Sequence, residues 1–498
     1  MKKSDFLFEI SWEVCNKVGG IHTVVSSKAH SIMKYVDNYF VLGPFLNKNN
    51  SEFVEEEMPD NFKDVYERLL SKGINIYYGR WNITGMPRVI LVDYKGHGMN
   101  VNAIKGRLWE LYKIDSLESS WYDFDEVVLW SWCCGIVIEE LTNILGVEGD
   151  VYVHAHEWMS GGSIFYLESL DDNRFKTVFT THATMLGRTL GGRGENVYDI
   201  KADFDADVKA YEYGINTKHQ SEKALAEVSG AFTTVSEITS RETKKFYGKE
   251  PDRLLYNGFD NLEENFENDL ENVFNDSRKD INHFLDMYFR QFYEIDLDDV
   301  KIFYTSGRNE FRNKGVDMYI KALGKLNKQL REEESSENII NLFLIPIGDF
   351  DKDERLNFLF NRQERPMSDD LPPLSTHKVP MDCDIISSFL REGLTNKVDD
   401  KVKVILIPVY LNESDDIFNK NYYEVVEGMD LGIFPSYYEP WGYTPLESIN
   451  HAVPTITSDL AGFGRAVTDE YGGNKAGVKV LKRMGVNDCY VVDELYNY

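Results

Sequence analysis

The sequence predicts an α/β chain built as two doubly wound parallel sheets facing one cleft, and three observations carry that prediction. Apolar runs of strand length alternate with helical patterns from Phe6 almost to the last residue. Most of these runs end in a polar, glycine-marked turn, as strands do where they feed a helix in a doubly wound sheet. The alternation is interrupted near residue 260 by an acidic, Asn/Glu-rich stretch, which divides the chain into a domain over 1–260 and a second over 261–498. At 498 residues the chain is too long for one ordinary core.

The first strand is Phe6 to Ile10. A loop from Ser11 to Gly20 follows, and a helix opens at Ile21 with Val24, Val25 and Ala29 on one face. Strand, Gly19-Gly20 turn and helix form the layout that cradles a phosphate on backbone amides, with Lys17 adding charge beside it. The same glycines also suit close packing of helix on strand, and the residues alone weigh the two readings evenly. Strands follow at Tyr39 to Leu42, Ile74 to Tyr78 and Val89 to Tyr94, then a helix from Phe124 to Leu145. Val151 to His156 is a strand that places His154 and His156 on one face and runs into Glu157-Trp158. A His-x-His pair invites a metal, but no third ligand accompanies it at a recognisable spacing. One of these histidines contacting a sugar hydroxyl, His156 first, is the favoured reading, with a structural histidine beside it. Thr177 to Thr181 is a strand leading into His182 to Arg188 and the glycine-rich 191–194; a helix at Lys218 to Ser229, a strand at Ala231 to Val235 and a turn at Tyr256 to Phe259 close the domain.

A helix from Val273 to Arg290 bridges to the second domain, whose first strand is Lys301 to Thr305. The loop after it, Ser306 to Gly315, carries Arg308 and Lys314 between a buried strand and the helix returning onto it, a placement suited to an anionic leaving group. Further strands are predicted at Ile339 to Ile345, Val402 to Pro408, Leu431 to Phe434, Val453 to Thr457 and Tyr490 to Val492, with a short polar insertion at Asp349 to Pro373. The stretch from Phe434 to Glu447 reads as strand end, aromatic loop and helix start. Thr444 is the expected N-cap, Pro445 the first helical residue and Glu447 the partner in a capping box. Glu439 has no such structural duty and faces the ligand position of a doubly wound sheet.

A net charge of −29 argues against nucleic acid or an anionic membrane as partner, since both need cationic surface. An uncharged polymer, or a small ligand in a local basic pocket, is compatible with it. The five cysteines are few, odd in number and set in apolar sequence, as reduced cytoplasmic thiols are. The N-terminus lacks a hydrophobic signal core, so the expected compartment is the cytoplasm. Acidic clusters such as Asp203 to Asp207 read as solvated surface.

Five motifs resemble the eukaryotic-type glycogen synthases, glycosyltransferase family 3: Phe8 to Gly20, Phe179 to Arg188, Gly307 to Gly315, Pro372 to His377 and Phe434 to Glu447. The resemblance implies the GT-B fold, with two Rossmann-like domains. It implies transfer of glucose from UDP-glucose, with retention, onto the 4-hydroxyl at a non-reducing end of glycogen or another α-1,4-glucan. No metal or other cofactor is expected, and a homo-oligomer is compatible. By position, Lys17, Gly19 and Gly20 resemble nucleotide contacts, and His182 and Arg188 resemble donor-sugar contacts. Arg308 and Lys314 resemble a diphosphate clamp, and Tyr422 the aromatic that stacks on uracil. Glu439, Trp441 and Gly442 resemble contacts to donor glucose and phosphates, and Glu447 a ribose contact. Glu439, Arg308, Lys314 and Arg188 form the expected catalytic set.

The chain departs from the family's pattern in three places. The family's long helical insertion, which mediates tetramer formation, is reduced to Asp349 to Pro373. Its regulatory sugar-phosphate site meets acidic residues here, at 268–271 and Asp430. The chain stops at Tyr498, where the family continues with further helices, so the second domain is expected to be incomplete and activation by glucose 6-phosphate absent. An ADP-glucose-using synthase and a non-catalytic glucan-binding relative stay open beside the leading reading. A phosphorylase would need pyridoxal phosphate on a lysine.

Overall fold

Strand-length runs of β-branched and aromatic residues form the sheet of each unit. A computed structural model describes residues 5–47, 50–195, 197–200, 203–259, 266–297, 299–356, 371–472, 474–475 and 477–498. The chain divides into two units, Met1–Asp260 and Asn261–Tyr498. In the first, the strands are β1 (Phe6–Ile10), β2 (Asn38–Pro44), β3 (Phe53–Glu55), β4 (Asn75–Trp81), β5 (Arg88–Asp93), β6 (Val151–His156), β7 (Phe175–Thr181), β8 (Ala231–Thr234) and β9 (Arg253–Leu254). Their order is β3-β4-β5-β2-β1-β6-β7-β8-β9. From β5 to β9 every pairing is parallel, whereas β4 runs antiparallel to both β3 and β5, so the sheet is mixed at one edge. The order reverses between β1 and β6, the position where doubly wound sheets open a crevice at the carboxyl ends of their strands.

The helix Glu126–Ile144 is apolar almost all round, which is the pattern of a buried element. With the turn before it, it is long and apolar enough to cross a membrane, yet 72% of its apolar window is buried inside the unit. It is a core helix, packed beside the helix Gly161–Glu168. Cys133 and Cys134 lie on it, and all five cysteines are unpaired, as expected of reduced thiols.

In the second unit the strands are β10 (Lys301–Ser306), β11 (Ile339–Leu344), β12 (Val402–Ile407), β13 (Leu431–Ile433), β14 (Thr455–Ser458), β15 (Asn474–Lys475) and β16 (Val478–Leu481). Their order is β12-β11-β10-β13-β14-β16-β15, parallel except for the final β15–β16 pair. The reversal here lies between β10 and β13. One face packs on Phe284, Leu285, Tyr288 and Phe289 of the helix Phe266–Phe289. The other packs on Tyr319 and Ile320 of the helix Val316–Glu332 and on Phe389 of the helix Asp384–Arg391.

Two expectations are corrected. Tyr490 to Val492 is not a strand but part of the helix Asp488–Asn497, capped by the Asn487 side chain, which accepts from the Tyr490 amide at 2.9 Å. Val492 and Leu495 then fall on one face against Met318, and the last strand is β16 instead. The helix after β13 is Tyr443–Asn450 and its N-cap is Gly442, so Thr444 lies inside the helix and no capping box with Glu447 forms. Of the insertion expected at 349–373, residues 357–370 lie outside those described.

Candidate functional sites

In the second unit, the loops that follow β10 and β13 leave the sheet at its order reversal. They are fastened to each other by main-chain bonds: the amides of Tyr437 and Tyr438 donate to the Asn313 carbonyl at 2.7 and 3.2 Å. Gly315 closes the first loop with φ at +70°, and a Cβ there would stand 1.9 Å from the Pro435 carbonyl oxygen. Only glycine allows this approach. Arg483, 5% exposed, donates to the same carbonyl, and it and Arg312 flank the Tyr437 ring at 5.3 and 5.2 Å.

On this frame the Lys314 ammonium and the Glu439 carboxylate form an ion pair, with side chains 15% and 16% exposed. Sequence reasoning placed these residues in one site, and the structure brings them together. It does not close the expected two-cation clamp. Arg308 is 54% exposed and turns to Glu310 at 2.8 Å, beside Lys314 in the chain but not paired with the same partner.

The other residues expected around the nucleotide are placed as follows. Tyr422 is half-buried at the start of the helix Tyr422–Val426. Its hydroxyl lies 2.6 Å from Ser306 Oγ, and its ring meets Tyr423 edge-on at 5.3 Å, so only part of it is open for stacking. Glu447 accepts from the Tyr423 hydroxyl at 3.4 Å. The Trp441 ring is buried edge-on against Phe463, and its carbonyl accepts from the Phe463 amide at 2.7 Å. Gly442 has φ at +102°, and a Cβ there would crowd Glu439 Cγ at 3.2 Å. Farther along this unit, a cavity of about 400 Å³ is lined by Phe274, Glu271, Glu427, Asp430 and His451. Asp430 pairs with Arg278 at 2.6 Å, and Glu427 with His451 at 2.8 Å.

In the first unit, the loops after β1 and β6 hold the corresponding position. Lys17 is exposed, and the Gly19 amide donates to Glu13 Oε2 at 2.8 Å, as does the His22 amide at 2.9 Å. Part of the amide cradle expected to meet phosphate is therefore occupied by the protein's own carboxylate. Gly20 is exposed as the first residue of the helix Gly20–Met33.

Glu157, which sequence reasoning passed over, is the acid at the end of β6. Its φ is +65°, a backbone region sparsely populated by residues with a side chain. The amides of His182 and Ala183 donate to its carboxylate at 2.8 and 3.0 Å, holding it there. Burial pushes its pKa up to about 7, against the opposing charge of Arg188 and those two amides. Arg188 is half-buried on the helix Met185–Gly192, capped by the Thr184 side chain. Glu222, fully buried, accepts from the Met185 amide and the Tyr247 hydroxyl, and burial with the Glu157 charge raises its pKa well above the usual carboxylate range. A charged residue at a strand end beside the order reversal was the available signal for Glu157.

His156 is corrected. It is 2% exposed, with Nε2 2.6 Å from Glu9 Oε1 and Nδ1 2.9 Å from His182 Nε2, so no ring nitrogen is left for a sugar. His182 stands nearer the surface than His156, at 9% exposure. The third group that spacing did not reveal for His154 and His156 is Glu9, whose oxygen joins their nitrogens within 4.8 Å from the neighbouring strand. The cation that meets Glu9 is the Lys28 ammonium, at 2.5 Å.

The sequence matches the glycogen synthase family over residues 9–357 and 354–498. It is 31% identical to glycogen [starch] synthase isoform 2 of Saccharomyces cerevisiae, covering 100% of this chain and 80% of that protein. To glycogen [starch] synthase of Caenorhabditis elegans it is 32% identical, over 92% and 76%, and to the liver form of Mus musculus 31%, over 96% and 75%. Among solved structures, the catalytic domain of starch synthase IV from Arabidopsis thaliana shares the fold with a TM-score of 0.55 at 14% identity, over 99% of this chain and 92% of that one. A UDP-forming trehalose-phosphate synthase from Burkholderia xenovorans shares it at 0.51 and 8%, over 98% and 91%. With two sheets of this order and full-length identity at this level, the chain is a hexosyltransferase of GT-B fold and belongs to the glycogen synthase family.

Proposed function

We propose that the chain transfers glucose from UDP-glucose, with retention at the anomeric carbon, onto the 4-hydroxyl at a non-reducing end of an α-1,4-glucan. The observation that carries this reading is the Lys314–Glu439 ion pair at the order reversal of the second sheet. Departure of a nucleoside diphosphate builds negative charge on its β-phosphate, and preorganised cations there stabilise that charge. An arriving diphosphate competes with Glu439 for the Lys314 ammonium. Lys314 then serves the leaving group, and the released Glu439 carboxylate orients sugar hydroxyls and stabilises positive charge at the anomeric carbon. Arg308, exposed on the same loop, swings from Glu310 to complete the clamp. Substitution on one face, with the leaving phosphate taking the acceptor's proton, needs no protein nucleophile, and no metal enters the step. His182 and Arg188 are assigned to the donor sugar, Tyr422 to the base, and Glu447 to the ribose.

We infer that glucose 6-phosphate leaves activity unchanged, because the cavity offers it the carboxylate of Glu271 and the already paired carboxylates of Glu427 and Asp430. The test of the main reading is transfer to glycogen from UDP-glucose and ADP-glucose in parallel, with release of each nucleotide measured. Faster turnover of UDP-glucose is expected. Transfer from ADP-glucose alone reassigns the donor, and transfer from neither refutes the reading.

A further inference from the structure

The buried histidines of the first unit form a directed hydrogen-bond chain. Glu9 sits in β1 beside β6, with its Cα opposite that of His154, and is fully buried. Its carboxylate accepts from Lys28 at 2.5 Å and from the Tyr39 hydroxyl at 2.5 Å. Burial opposes the anion, but Lys28 and these hydrogen bonds take its pKa below the ordinary value, so Glu9 accepts and does not donate. His156 Nε2, 2.6 Å from Glu9 Oε1, must therefore carry a proton. Burial and the Lys28 charge keep His156 neutral, which leaves its Nδ1 a lone pair. That lone pair lies 2.9 Å from His182 Nε2, so His182 donates from Nε2. Burial first, then Lys28, lowers the His182 pKa to about 3. Its single proton is thus on Nε2, and Nδ1 is an acceptor. Reversing the chain would set the lone pairs of Glu9 Oε1 and His156 Nε2 against each other across 2.6 Å in a buried site, leaving His156 Nε2 without a donor.

We propose that Glu9 and His156 are positioning residues that lock His182 in its Nε2–H tautomer, so that His182 Nδ1 accepts a hydrogen bond from one hydroxyl of the donor sugar. This rests on the reading of the chain as a nucleotide-sugar glucosyltransferase. It adds a specificity device: an acceptor fixed in this way reads a hydroxyl proton, and a sugar lacking that hydroxyl leaves it unmatched.

The first test needs no variant. Two-bond proton–nitrogen spectra of the full chain labelled with nitrogen-15 histidine, assigned with His182→Gln, are expected to show the His182 proton on Nε2. A proton on Nδ1 overturns the proposal. The second test measures kcat/KM for the parent donor and for donors each lacking one sugar hydroxyl. The wild-type chain is expected to lose about tenfold or more with one of these analogues. Glu9→Gln is expected to lower kcat/KM for the parent donor by about tenfold and to shrink that analogue's penalty to about twofold or less, because the tautomer is no longer fixed. His156→Asn, whose Oδ1 stands in for Nδ1, is expected to stay within about threefold of the wild type while His156→Leu falls about tenfold. An undiminished analogue penalty in Glu9→Gln, or equal losses in the two His156 variants, overturns the proposal. Should Glu9→Gln fail to fold, the wild-type spectrum and the His156 pair decide it. Absence of transfer from every nucleotide sugar refutes the proposed function, while the spectrum still decides the tautomer.

Discussion

Lys314 and Arg308 leave the same loop but stand in different surroundings, and their removal should differ accordingly. Loss of one donor to a developing negative charge typically costs about 10²–10³ in rate. Both Lys314→Ala and Arg308→Ala are therefore expected to lose turnover by at least about that factor. Arg308 makes an exposed pair of the kind worth about 0–1 kcal/mol, so its variant should keep the wild-type melting temperature. Lys314→Ala also strips Glu439 of its partner in a mostly buried site and should unfold at a lower temperature. Turnover near normal in a folded Arg308→Ala protein would remove that residue from the site. Glu157 supplies a second test. Its folded pKa of about 7 exceeds the ordinary 4.5, so between those values the native state holds a proton that the unfolded chain has released. Stability is then lost as pH rises through that window, by on the order of 3 kcal/mol at 1.36 kcal/mol per unit. Glu157→Gln should flatten this slope, read as the difference in urea midpoint between pH 5 and pH 8, and an unchanged slope would show that Glu157 is not the group involved. The neighbours that share its field are Arg188, Glu13 and Glu222. At this scale Lys314 and Glu439 were legible because charge on a strand-to-helix loop has few structural uses. Glu9 and Glu157 were not, because burial and partners on adjacent strands come from pairing that local spacing does not encode.

The loop between β10 and its helix is an element whose geometry depends on one backbone position. Gly315 lies in left-handed conformation with Pro435 against it, so a methyl group there meets both a conformational cost and a clash with a carbonyl. The neighbour cannot yield easily, since Pro435 is also held by Arg483. Gly315→Ala should therefore cost at least about 2 kcal/mol and lower turnover by shifting Lys314 from Glu439. Chemical denaturation and steady-state kinetics on the same preparation check this, and a loss below about 0.5 kcal/mol with full activity would show that the two loops are not locked together. Strand periodicity located β10, β11, β12 and β13 because each is a nearly continuous apolar run. It failed at Tyr490 to Val492, where a short apolar patch serves a helix equally well and the Asn487 cap decides the matter. The Thr-x-x-Glu capping pattern failed at Thr444, because Gly442, with positive φ, is the N-cap and the helix starts one residue before the expected cap.

Each unit closes its own sheet with its own apolar core, and the catalytic assignments divide between them. A chain with two such cores is not expected to unfold in one two-state step. Calorimetry should resolve two transitions, with a calorimetric enthalpy larger than the van't Hoff value for either. A nucleoside diphosphate is proposed to engage chiefly the loops after β10 and β13 and should act mainly on the unit that contains them. At about 100 times its dissociation constant it adds about 2.7 kcal/mol to that unit. A unit of this size gains about 2–4 °C per kcal/mol, so one transition should rise by about 5–10 °C and the other much less. Hydrogen exchange identifies which unit responds, because protection should increase in the peptides following β10 and β13. A single transition that moves as a whole would mean that the two units unfold cooperatively. Equal protection in both units would mean that the loops after β10 and β13 are not the principal binding site of the diphosphate.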